Sequence, residues 1–195
     1  MKYGVAFPVL PGKESMPEEV GAAIRSRMGE YVESRSSRGV TLERVWLQQN
    51  PDGSMLQLVF TEGSGTAEDL VASFRSSTSD FDTWFFDVQQ EISGIDFRQP
   101  GGGLPENIGS YQAPGGGRNP GYCFCVPVVP GATDVGVAFA KEAYGAKADE
   151  LAASRAAMGS TREEVFLQRT RMGDLVIVYG EAADPDQANV SFAGS

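Results

Sequence analysis

Gly39-Val40-Thr41-Leu42-Glu43-Arg44-Val45-Trp46-Leu47-Gln48 returns 120 residues later as Gly159-Ser160-Thr161-Arg162-Glu163-Glu164-Val165-Phe166-Leu167-Gln168. Outward from this block the repetition continues. Ala6-Phe7-Pro8-Val9-Leu10-Pro11-Gly12 returns as Cys125-Val126-Pro127-Val128-Val129-Pro130-Gly131, and Ser34-Arg35 returns as Ser154-Arg155. Gly53 matches Gly173, and the apolar run Met55 to Phe60 matches Leu175 to Gly180, which sets Tyr179 against Val59. Order, spacing and residue type are kept over four blocks, the mark of a tandem duplication.

Each copy opens with a short apolar run closed by Pro-Gly, which reads as a strand. Met16, Val20, Ile24, Met28 and Val32 then recur at helical spacing. Val45 to Gln49 and Met55 to Thr61, joined by Asn50-Pro51-Asp52-Gly53, read as an antiparallel hairpin. Thr66 can cap a second helical stretch; Phe81, Trp84, Phe85, Val88 and Ile92 form an apolar stripe, and Ile95-Asp96-Phe97 closes the unit as a fourth strand beside the first. The order is β-α-β-β-α-β, which is ferredoxin-like, in an α+β chain. Residues 1–97 form the first module. Residues 98–120, with glycine triplets at 101–103 and 115–117, read as a flexible linker and not as a phosphate loop, since neither triplet has the P-loop lysine. Residues 121–195 form the second module. Asp184-Pro185 signals one more helix start there, and no counterpart of the first copy's aromatic helix and fourth strand follows, so the second module is expected to be C-terminally incomplete.

The strings FPVLPGKE, VTLERVWLQQNPDG and FDTWFFDVQQEISGIDFRQPGGGLPEN resemble a family of small bacterial ferredoxin-like proteins of unknown function, related to the dimeric α+β barrel superfamily. The likeness covers residue 1 to about residue 110, and the second copy from Gly121 onward. It implies a barrel made of two modules. With both modules in one chain, an intrachain pseudo-dimer is expected, with exchange of halves in a homodimer as the alternative. Related barrels include cofactor-free monooxygenases, haem enzymes and ligand binders, so the resemblance alone selects no activity.

Composition narrows the functions. The chain of 195 residues carries 16 Lys and Arg against 26 Asp and Glu, a net charge of −10, which argues against nucleic acid or an anionic membrane surface as partner. It has no histidine, so the commonest general base, haem ligand and zinc ligand are all missing, and neither haem nor structural zinc is expected. No apolar run is long enough for a membrane span, and the apolar start lacks a signal-peptide cleavage pattern, so a cytoplasmic location is expected. Cys123 and Cys125 share one face of a strand, where they cannot bridge each other and read as buried small hydrophobes.

Strand alternation puts Val45 and Leu47, with Val165 and Leu167, under the helices. Trp46, Gln48, Phe166 and Gln168 then face the barrel lumen. These four could line a ligand pocket in which the amides orient a carbonyl or hydroxyl of an aromatic ligand; a packed inter-sheet core is the plainer reading. Arg35 and Arg155 recur near the end of the first helix, either to complement its dipole or to clamp an anion. Asp80 and Asp82 fit helix capping better than general-base work, and a phenol-dependent step through Tyr179 would be confined to one half. The expectation is a non-catalytic module that binds a small apolar or aromatic molecule or mediates association, without cofactor. The alternative is a cofactor-independent monooxygenase or isomerase acting on a small aromatic substrate.

Overall fold

The computed structural model describes residues 1–99, 101 and 103–193. The chain is α+β, with two compact units, Met1–Leu104 and Pro105–Ser195. Among the described residues there are seven α-helices, one π-helical turn and two separate antiparallel sheets, of three and four strands. Neither sheet closes into a barrel. No helix among the described residues is long and apolar enough to cross a membrane.

The first unit runs β1 (Lys2–Val9), α1 (Met16–Ser26), α2 (Met28–Ser36), β2 (Val40–Gln49), β3 (Met55–Gly63), α3 (Ala67–Arg75) and α4 (Asp80–Ser93). Its sheet has the order β1-β3-β2. The expected single first helix is divided at Arg27, whose backbone leaves the helical region at φ −115° and ψ 29°. The Arg27 guanidinium lies over the rings of Phe81 and Trp84 and pairs with Glu30. Thr66 caps α3 by accepting from the Asp69 N–H, and Ser79 does the same for α4 through Asp82. On the helix side of the sheet, Val9, Val20 and Ile92 form a buried cluster joined by Ile24, Trp84 and Val88.

Two sequence expectations fail where this unit ends. Residues 95–97 form no strand: Gly94 takes a left-handed conformation (φ 73°) that ends α4, and Phe97 drops its ring edge-on to Phe7 at 4.7 Å. A strand does appear inside the stretch expected to be linker, as β4 (Glu106–Gln112). It belongs to the second unit and pairs with that unit's own sheet. Of the remaining expected linker, residues 100 and 102 lie outside the described residues.

The second unit continues with β5 (Gly121–Pro127), α5 (Thr133–Lys141), a π-helical turn (Glu142–Ala146), α6 (Ala148–Ala157), β6 (Ser160–Gln168), β7 (Leu175–Ala182) and α7 (Pro185–Ala193). The sheet order is β4-β6-β7-β5. β4 therefore lies beside β6 and not beside a first strand, and β1 and β5 are both edge strands. Asp184 caps α7 by accepting from the Gln187 N–H at 3.0 Å. The two hairpins also correct one equivalence. Val45 faces Val59 and Val165 faces Val178, so the second hairpin is one residue shorter and Tyr179 answers to Phe60, not to Val59.

Candidate functional site

Alternation decides what the sheet of the first unit presents to its helices. Tyr3, Val5 and Phe7 of β1, Glu43, Val45 and Leu47 of β2, and Gln57, Val59 and Thr61 of β3 share one face, as their cross-strand pairing requires. All nine line a cavity of about 620 Å³ beneath α1 to α4. The helices add mainly apolar walls, including Ile24, Met28, Leu70 and Phe86. This volume lies within the range of small-molecule sites, and an apolar body with a few polar groups is their usual make-up.

One end of the cavity is a charged clasp. Arg35, buried in the last turn of α2, donates from Nε to Glu43 Oε1 at 3.0 Å, and Tyr31 donates to the same oxygen at 2.8 Å. The guanidinium is packed against the rings of Tyr31, Phe74 and Phe85 at 4.8–4.9 Å. Burial, and then the charge and hydrogen bond of Glu43, hold the Tyr31 phenol well above its ordinary range. Tyr3 is pushed up to about 12 by burial, against a smaller opposing effect of Arg75. Both phenols stay protonated at neutral pH.

The second unit repeats the clasp with one substitution of origin. Arg155 Nε and Nη2 hold Glu163 Oε2 and Oε1 at 2.9 and 2.8 Å, a bidentate pair. The phenol on Glu163 comes from Tyr144 in the π-helical turn, since the repeat position of Tyr31 is Leu151. Burial, and then Glu163, raise the Tyr144 pKa. This clasp borders a cavity of about 340 Å³ that also includes Val165, Leu167, Val176 and Val178. Ile108 of β4 forms part of its wall. Beside it Gly109 must be glycine, because a Cβ there would lie 2.3 Å from the Tyr144 ring.

The covering strand makes the two cavities differ. Val165 and Leu167, next to β4, are 8% and 2% exposed. Their repeats Val45 and Leu47, on the last strand of the three-stranded sheet, are 50% and 39% exposed. The first cavity is open along β2.

Of the residues singled out in the sequence, Arg35 and Arg155 line the two cavities, each already engaged by a glutamate. Val45, Leu47, Val165 and Leu167 lie on the helix side as read. Trp46 and Gln48 occupy the opposite face of the first sheet, where Gln48 donates to Asn50 at 2.8 Å, and neither reaches the cavity. Phe166 and Gln168 sit likewise on the opposite face of the second sheet, with Phe166 fully buried. Asp82 is structural: it accepts from Ser34 and Ser77 and pairs with Arg38 at 2.7 Å. The cysteines are free thiols, and burial raises both pKa values, that of Cys125 to about 12. Among the described residues no group of three or more His, Cys, Asp and Glu side chains is placed to hold a metal ion. Sequence reasoning missed Gln57, Glu43 and the two clasp tyrosines. For Gln57 a signal was present, since it is a lone amide inside the apolar run Met55 to Phe60 and in phase with Val45 and Leu47.

Comparison of the chain with protein-family models, with curated proteins and with solved structures finds no match.

Proposed function

We propose that this protein binds a small apolar or aromatic molecule without transforming it, in the cavity beneath the helices of the first unit. The observation that carries this reading is the contrast between the cavities: one of about 620 Å³, open along β2, and its repeat of about 340 Å³, walled by β4. A core that merely fills space closes to native density in both copies. Binding is favoured over catalysis because the phenols on the wall are held protonated and Arg35 and Glu43 are spent on each other. The proposal includes, on the sequence repeat and the resemblance, that the two units are copies of one ferredoxin-like module paired within the chain.

The test uses the uncharged fluorescent probe N-phenyl-1-naphthylamine. The expected result is saturable enhancement at one probe per chain. Gly21 lies on the cavity wall within α1, and a Cβ there would meet only Arg25 Nη1 at 3.7 Å. Gly21→Phe should therefore fill the space and abolish binding while melting no lower than wild type, because glycine inside a helix costs roughly 0.5–1 kcal/mol. Absence of saturable binding by wild type, or unchanged binding by Gly21→Phe, overturns the reading.

A further inference from the structure

Gln57 sits on the middle strand of the first sheet, in register with Phe7 on one side and Leu47 on the other, on the rung of the cavity floor farthest from the Glu43 clasp. Its side-chain oxygen is buried with no hydrogen-bond partner, and the residue is 7% exposed. A buried acceptor without a partner is rare because its lost hydration is not replaced. The rest of the fold does not call for an amide here. The second unit places Val176 opposite Leu167, on the wall of its own smaller cavity, so the same hairpin folds with an apolar side chain at this position.

The surroundings restrict what could complete this amide. Phe7, Phe74, Phe85, Phe86 and Phe97 line the cavity and favour a flat aromatic body. The charges within it are matched, with Arg35 held by Glu43, and Glu18 and Arg25 bring opposite signs to the α1 wall. Nothing in that arrangement favours a ligand of one charge. The terminal torsion of glutamine is broad, so its amide can turn to meet a group in the cavity.

Resting on the binding reading above, we propose that the ligand class is an uncharged hydroxylated aromatic, whose hydroxyl donates to Gln57 Oε1 while its ring lies among the phenylalanines. The clasp of Arg35, Glu43 and Tyr31 shapes the end of the cavity and does not contact a charged group of the ligand.

Calorimetric titration of the full chain with 2-naphthol, 2-methylnaphthalene, 2-methoxynaphthalene and 2-naphthoate tests this. Wild type should bind 2-naphthol about tenfold more tightly than the methyl and methoxy compounds, the size of one well-made hydrogen bond at a buried acceptor. Gln57→Met and Gln57→Leu, each checked for native tryptophan emission, should bind all three neutral compounds within about twofold of one another, because the discriminating acceptor is gone. Equal binding of the three by wild type overturns the hydroxyl assignment and leaves the cavity reading standing, whereas no binding of any compound removes both. Methoxy binding as tight as naphthol binding overturns the donor assignment. Naphthoate binding tighter than naphthol binding overturns the uncharged one.

Discussion

Asp82→Ala probes the joint between α2 and α4 in the unit that holds the open cavity. The carboxylate is 1% exposed, accepts from Ser34 at 2.6 Å and from Ser77, and pairs with Arg38 at 2.7 Å; Arg35 Nη1 stands 3.9 Å away. Arg35 keeps Glu43 in the variant, but Arg38, whose side chain is 11% exposed, loses its carboxylate. Removing one partner of a buried pair costs ~3–5 kcal/mol, because the other charge is left uncompensated. For a unit of this size each kcal/mol lowers the midpoint by roughly 4–8 °C, so a fall of about 12–40 °C is expected. Trp46 and Trp84 are the only tryptophans, and both lie in the first unit, so thermal unfolding followed by tryptophan emission reports that unit alone. Acid supplies the second half of the test. Burial raises the Asp82 pKa, but the Ser34 and Ser77 hydroxyls, the Arg38 charge and Ser79 outweigh it and leave the pKa below the ordinary 3.8. A depressed folded-state pKa gives stability that is complete above the unfolded value and is lost as pH falls through the folded one. The gap between wild type and Asp82→Ala should thus be full at pH 7 and should shrink only below pH 3.8. A shift at pH 7 equivalent to less than about 1 kcal/mol, or a gap undiminished in strong acid, refutes the reasoning.

Gln57→Leu should raise the stability of the ligand-free protein by about 1–2 kcal/mol in urea denaturation, since it removes an unsatisfied buried acceptor; a destabilised variant would show that the amide is satisfied within the fold. Gly180→Ala should destabilise the second unit by about 1–3 kcal/mol, because its Cβ would lie 2.2 Å from Tyr122 Cζ. An unchanged second-unit transition by circular dichroism would contradict the packing. Cys123 and Cys125 should react slowly with a disulfide reagent at pH 8 and rapidly in urea, as burial raises both thiols and puts Cys125 at about 12. Fast labelling of Cys125 in the folded protein would count against its buried placement.

What was legible in the sequence is what local chemistry dictates. Thr66 and Asp184 cap helices because their side chains reach an N–H three residues on. Val45, Leu47, Val165 and Leu167 could be assigned a face because a strand alternates. β4 was hidden because its apolar content is thin, Ile108 and Tyr111, between glycine- and proline-rich flanks, and its partners on β6 run from Arg162 to Leu167, far along the chain. Conversely, Ile95-Asp96-Phe97 has strand composition, yet Phe97 gains more from packing edge-on to Phe7 and near Phe86 than from a ladder. The clasp arginines stood out as repeats; the glutamates repeat as well, as Glu43 and Glu163, but were not singled out, and the tyrosines come from positions that do not match. Tyr144 reaches Glu163 only because a π-helical turn re-aims it, a change of phase that periodicity does not reveal.

The two units share one feature of their helix-side faces and differ in another. Both keep the arginine–glutamate pair, and both place a phenol on the glutamate, from Tyr31 in one and from Tyr144 in the other. A requirement met twice from different positions belongs to the architecture: the clasp ties a helix to β2 in one unit and to β6 in the other, and it does so whatever occupies the cavity. Other differences lie at the cavity. The second unit exchanges Gln57 for Val176, and where the first has Thr61 it has Gly180, with the Tyr122 ring packed over it. It also gains β4, whose Ile108 walls the space and under which Val165 and Leu167 are buried. Each of these changes removes polarity, volume or access. A closed, apolar core of this kind is what packing for stability alone favours. The first unit has a buried amide oxygen without a partner, an open rim and about 620 Å³ of space, features that lower stability and on which the binding proposal rests.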